Sequence, residues 1–165
     1  KFKTEISRDQ KSKFGRDHVC FTTEINPGSG FKPLNKIASG GELSRFLLAA
    51  KLCFFGEDSK KTQIFDEIDR GVGGATASAI GKRLLELSKH EQVLVVTHSP
   101  QVAAYSDNHL KVEKINSDKL TITKVTTLNE EKTVKEIARM LSGELVTSEA
   151  LAAAAKLRNS SRGIS

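Results

Sequence analysis

Apolar and polar positions along the chain repeat at two periods, and the changes between them mark out the elements. Residues 1–7 and 18–25 read as strands around a polar turn containing Gly15. In the second, Val19, Phe21 and Thr23 alternate with Cys20, Thr22 and Glu24, which leaves one loosely apolar face. Residues 26–34 hold two prolines and two glycines and read as a loop. From Gly41 the period lengthens. Leu43, Phe46, Leu47, Ala50 and Phe54 recur at helical spacing, with Leu48, Leu52 and Phe55 on much of the remaining surface, which predicts a mostly buried helix. Residues 56–61 are a polar connection, and residues 62–65 a short strand ending at Asp66.

Gly71-Val72-Gly73-Gly74 is a glycine-rich turn, after which Ala77, Ile80, Leu84 and Leu87 mark an amphipathic helix. Residues 92–97 (Gln-Val-Leu-Val-Val-Thr) form the best strand, apolar on both faces as a central parallel strand must be. Pro100 near a first turn predicts a short helix after Ser99. Residues 109–115 and 119–127 read as a hairpin around Asn116-Ser117-Asp118. Val134, Ile137, Ala138 and Leu141 set the apolar face of one closing helix. Thr147 caps a second, alanine-rich helix that runs through Leu157, and residues 159–165 read as a frayed polar tail. Strand and helix alternate through the middle of the chain, so an α/β sheet with crossovers is expected for a single domain over residues 1–158.

The bulk numbers narrow the setting. A chain of 165 residues is long enough for one domain with its own core. Because it opens on Lys1, it is expected to be a piece of something longer. No run nears the roughly 20 apolar residues of a membrane span, and no signal-peptide pattern opens the chain. Cys20 and Cys53 sit in apolar surroundings without a CxxC or a histidine at ligand spacing, so both read as reduced core thiols of a cytoplasmic protein. The net charge of +6 favours a polyanionic partner only weakly, since no block of like charge occurs.

Three motifs carry chemistry. Ser39-Gly40-Gly41-Glu42-Leu43 stands at a predicted helix start, where glycines let a phosphate approach the backbone and unpaired N–H groups face it. Ile64-Phe65-Asp66-Glu67-Ile68-Asp69 puts adjacent carboxylates at a strand exit: Asp66 is placed to hold Mg²⁺ through water, Glu67 to orient or deprotonate a water. Asp69 is expected to stabilise the following turn or pair with a basic neighbour. Val95-Val96-Thr97-His98 ends a second apolar strand on a histidine, and parallel strands bring such exits to one ligand crevice. His18, His90 and His109 lack that context and read as structural or surface residues.

These motifs resemble the ATP-binding-cassette ATPases, in particular their chromosome-maintenance (SMC-like) branch. Ser39 to Leu43 resembles the signature motif, Ile64 to Glu67 the Walker B strand, and His98 the switch histidine. The likeness is closer still to the RecN family of bacterial DNA repair proteins. It is carried by Asn26-Pro27-Gly28, Ala38 to Arg45, Phe65 to Asp69, Gly71 to Gly74, Thr97 to Ala103 and Glu136 to Leu141. It covers about residues 2–157.

The resemblance implies the C-terminal lobe of an ATP-hydrolysing head that serves double-strand-break repair and recombination, with Mg²⁺ as cofactor and ATP as substrate. It implies a mainly parallel central sheet flanked by helices, with a peripheral antiparallel hairpin. Asp66 would coordinate Mg²⁺, Glu67 would activate water, and His98 would touch the γ-phosphate. Ser39, Gly40, Gly41 and Glu42 would form the signature surface against nucleotide held by a second head. Residues 70–73 would form the loop crossing between heads, where many relatives carry an aspartate and this chain has Gly73. The implied partners are an N-terminal lobe of the same head, a second head, and DNA through the full-length protein, in the cytoplasm at the nucleoid, with no membrane. No G-x-x-x-x-G-K-[ST] phosphate loop occurs in the 165 residues, so the chain alone is expected to be inactive. The same features are compatible with a non-catalytic DNA- or protein-binding module that retains remnant motifs, or with a transporter's nucleotide-binding subunit. Glu42 and residues 136–141 count against the transporter.

Overall fold

The computed structural model describes residues 1–13, 15–24, 27–36, 40–53, 61–117 and 120–163, with the backbone alone for 9–12 and 116–117. Ser39, Phe54, Phe55 and most of the polar connection before the second motif lie outside the described residues.

Strands β1 (Phe2–Ser12) and β2 (Gly15–Thr23) pair antiparallel from Phe2 opposite Thr23 to Ser7 opposite His18, and the register shifts between Arg8 and Ser12. The strands extend into what reads as a polar turn, because an antiparallel ladder facing water needs no apolar alternation. Strand β3 (Lys32–Pro33) adds two residues to β2, and a 3-10 turn (Leu34–Lys36) leads toward the first long helix.

The centre is α1 (Gly40–Cys53), β4 (Thr62–Asp66), α2 (Gly74–Ser88), β5 (Gln92–Val96) and α3 (Pro100–Ala103). Strands β4 and β5 pair parallel and in register, from Thr62 beside Gln92 to Asp66 beside Val96. The core packs Phe65 and Ile68 against Leu48 of α1, Val102 of α3, and Ala77, Ile80, Leu84 and Leu87 of α2, the residues whose spacing marks that helix. Val93 and Val95 of β5 close the cluster.

Hairpin β6 (His109–Ser117) with β7 (Leu120–Leu128) precedes α4 (Glu130–Ser142) and α5 (Ser148–Arg162). Here Ile137, Ala138 and Ala154 bury against Ala103 and Ala104 to form a second core. Side-chain oxygens of Asn129 and Thr147 cap the two helices.

Several expectations are corrected. Helix α1 is not mostly buried: only Gly41 and Leu48 are, while Leu43 and Leu47 are exposed. One face of β5 is bare, with Leu94 44% and Val96 56% exposed beside Ile64 of β4 at 70%. Both departures have one cause: no described element of this chain packs on those faces. Cys53 is exposed and Cys20 half-buried, so neither is a core thiol. Leu141 is exposed on α4, and Thr133 and Glu136 are buried instead. Helix α5 runs to Arg162 rather than ending at Leu157. Arg158 and Ser161 are buried on the Ala154 side, and Gly163 in the left-handed region ends the helix. Among the described residues no helix is long and apolar enough to cross a membrane.

Candidate functional site

The in-register parallel pair decides where the motif residues stand. Asp66 is the last residue of β4 and lies beside Val96, the last of β5. Asp66-Glu67 and Thr97-His98 therefore leave the sheet together at the carboxyl ends of two neighbouring strands, the edge where open parallel sheets present their loops. Asp66, Glu67 and His98 are all exposed there. Phe65 and Ile68, on either side of the acidic pair, are 5% and 0% exposed and anchor it.

Glu67 is the one non-glycine residue with positive φ among those described, at 54°. Such backbone is unfavourable for a side chain with a Cβ. It opens a tight turn in which the Arg70 amide donates to the Glu67 carbonyl at 3.0 Å. The Arg70 guanidinium meets the Glu67 carboxylate at 2.8 Å, an exposed pair of small energetic weight.

The glycine motif starts α1, with Gly40 exposed and Gly41 buried. A Cβ built on Gly41 would lie 3.3 Å from the carbonyl oxygens of both Glu67 and Arg70, and 3.1 Å from Arg45 Nη1. The helix start thus presses on the turn that follows the acidic pair. Gly41 has a packing reason to be glycine, apart from any ligand. Glu42 is half-buried one residue further on, and Ser39 lies outside the described residues. So Gly41, the Asp66–Glu67 turn and the His98 loop are brought together.

Two motif residues to which the sequence assigns no part in the chemistry hold this arrangement. Arg45 Nη1 donates to the carbonyls of Ile68 at 3.1 Å and Arg70 at 3.2 Å, tying α1 to the turn. Among the described residues Asp69 pairs with no base, and its carboxylate turns away from its own turn. It accepts from the Thr97 hydroxyl and from the Ser99 amide across the gap between the strand exits. Its position three residues after Asp66 was the only signal available.

Behind the His98 loop, Ser99 Oγ accepts from the Val102 amide and caps α3. The far end of α3 is held by Arg158, 2% exposed, which donates to the carbonyls of Ala104 at 2.7 Å and Ser106 at 2.5 Å. The Glu130 carboxylate receives the remaining guanidinium donors at 2.9 and 3.1 Å, and this hydrogen bond holds its pKa below the ordinary value. His109 is half-buried, its Nδ1 without a partner among the described residues, and burial lowers its pKa.

Among the described residues no group of three or more His, Cys, Asp or Glu could hold a metal ion. A magnesium ion that arrives with phosphates needs only one or two carboxylates and keeps waters, and the exposed Asp66 suits that role.

No family model matches the chain. The DNA repair protein RecN of Rickettsia conorii is 45% identical over 156 residues, which cover 94% of this chain and 29% of that protein. The RecN proteins of Rickettsia bellii and Xylella fastidiosa are each 46% identical, over 91% and 87% of the chain. Among solved structures, one from work on ATP-driven dimerization and DNA-stimulated activation of SMC ATPases superposes with a TM-score of 0.50 at 20% identity, covering 86% of this chain and 84% of that one. An SmcHead bound to the C-winged helix domain of ScpA gives 0.51 at 23%, over 81% of this chain and 39% of that one. These two likenesses establish the fold: mixed α/β, with a parallel pair, antiparallel units and flanking helices, as in SMC ATPase heads. At 45–46% identity over some nine-tenths of its length, this chain is similar to a segment that makes up a little over a quarter of these RecN proteins.

Proposed function

We propose that the chain is the C-terminal lobe of the ATP-hydrolysing head of a DNA double-strand-break repair protein, and that it works only when other segments complete the site. The observation that carries this reading is the parallel register that sets Asp66-Glu67 and His98 at one edge. Asp66 holds Mg²⁺ on the nucleotide through water. When bound, the ion neutralises phosphate charge. Glu67, one residue on and turned by its positive φ, orients the attacking water and takes its proton. His98 meets the terminal phosphate as a hydrogen-bond donor.

Gly40, Gly41 and Glu42, at the positive end of α1, together with Ser39, serve nucleotide held on a second head. The phosphate loop comes from an N-terminal lobe of the same head. That lobe is the natural cover for Ile64, Leu94 and Val96, the bare face of β4 and β5. DNA is engaged by the full-length protein at the nucleoid, in the cytoplasm.

The test is reconstitution. This chain alone is expected to hydrolyse no ATP, and co-expression with the N-terminal segment of its own full-length protein is expected to restore turnover and nucleotide-dependent dimerisation. Glu67→Gln should lower the restored kcat by about 10²-fold or more, and Ser39→Arg should block dimerisation. Restored activity that survives both substitutions would sink the assignment.

A further inference from the structure

His98 is exposed and makes no hydrogen bond to a described residue, yet the chain on both sides of it is tied down. The tie is a single carboxylate oxygen. Asp69 Oδ2 accepts from the hydroxyl of Thr97 and from the amide of Ser99 at 3.1 Å, and the Ser99 amide also reaches Thr97 Oγ1 at 2.9 Å. The residue enclosed by this net is His98.

Asp69 is itself held. The carbonyls on either side of it, Ile68 and Arg70, both accept from Arg45, and the Ile68 side chain is fully buried. Beyond Ser99 the chain enters α3, whose Val102 and Ala103 are buried in the two cores. Fixed points therefore flank the loop while the imidazole itself stays at the rim. A carboxylate suits this place because it only accepts, and both facing groups donate.

We infer that Asp69 is a positioning residue for His98: it fixes the exit of β5 so that the imidazole meets the terminal phosphate, and it makes that loop follow the turn that carries Glu67. The inference rests on the ATPase reading above. Displacing a reacting group by about an ångström can cost on the order of 10²-fold in rate, so losing the tie should act on turnover rather than on nucleotide affinity.

The experiment uses the full-length protein with Asp69→Ala, Asp69→Asn, His98→Ala and the double variant Asp69→Ala/His98→Ala. Asp69→Ala is expected to lower kcat by about 30- to 100-fold, close to His98→Ala, with the KM for ATP within about twofold. Asp69→Asn, whose amide oxygen still accepts from both donors, should recover most of the loss. The double variant should be no slower than His98→Ala alone, because the tie has nothing left to position. Hydrogen exchange at the Ser99 amide should accelerate in Asp69→Ala. Thr97→Val removes one donor at constant shape and should give a smaller loss that again vanishes in the His98→Ala background, which serves where Asp69→Ala does not fold. Losses that multiply with His98→Ala, or a kcat unchanged while Ser99 exchange accelerates, would overturn the positioning role and leave the ATPase reading standing. ATP turnover insensitive to Glu67→Gln would overturn that reading, and the inference with it.

Discussion

Gly81 and Tyr105 meet more closely than any side chain at 81 would permit. A Cβ there would lie 2.4 Å from Tyr105 Cδ2 and 3.0 Å from Cε2, with the ring also held by a 3.1 Å hydrogen bond between Tyr105 Oη and Ser78 Oγ. Alanine favours a helix over glycine by about 1 kcal/mol, but forcing the ring aside costs about 1–3 kcal/mol. Gly81→Ala is therefore expected to destabilise, read as a lower urea midpoint, and Gly81→Ala/Tyr105→Leu should recover part of the loss. A midpoint raised by Gly81→Ala would show that the ring moves freely. Residues of this kind were not legible in the sequence. Asp66, Glu67 and His98 stood out because each follows an apolar strand, which a linear pattern can register. Gly81, Asp69 and Arg158 gain their roles from partners 24 to 54 residues away, and no local pattern marks them.

At the scale of elements, periodicity succeeded where both sides of the packing lie in this chain. The four apolar positions of α2 are all buried, as their spacing demands. It failed on the Leu43 and Leu47 side of α1 and on the Leu94 and Val96 face of β5, which no described element covers, and at the end of α5, where the buried residues are polar. Arg158 explains that last failure. From α5 it holds the closing carbonyls beyond α3 and the carboxylate of Glu130 at the start of α4, so one side chain joins three helices. Arg158→Ala would leave two carbonyls unpaired and is expected to cost about 2–4 kcal/mol by chemical denaturation. Arg158→Lys, with no fork, should recover little. The pH dependence has a definite sign. Arg158 holds the Glu130 carboxyl below its ordinary value of 4.5, so its contribution is present above that value and is lost as pH falls through the lower, folded one. Glu130→Gln should flatten the acid limb of the stability curve; an unchanged limb would remove Glu130 from this role.

The whole molecule is a segment that spans about 29% of the first of its RecN relatives, and its surface reflects that. Ile64, Leu94 and Val96 on the sheet, and Leu43 and Leu47 on α1, form exposed apolar ground of the kind that marks an interaction face. The isolated chain is expected to bind a hydrophobic dye strongly, and to lose that binding when the rest of its protein is supplied in trans. Dye binding that persists after the complex forms would mean that the rest of the protein does not cover these faces. A further consequence follows from β4 and β5 pairing only with each other among the described residues. Neither outer margin of this two-stranded ribbon pairs with another described strand, and such margins template further strands. Kept at high concentration without its complement, the polypeptide should zip onto its own copies and precipitate, so handling it alone would report a storage artefact rather than a resting state.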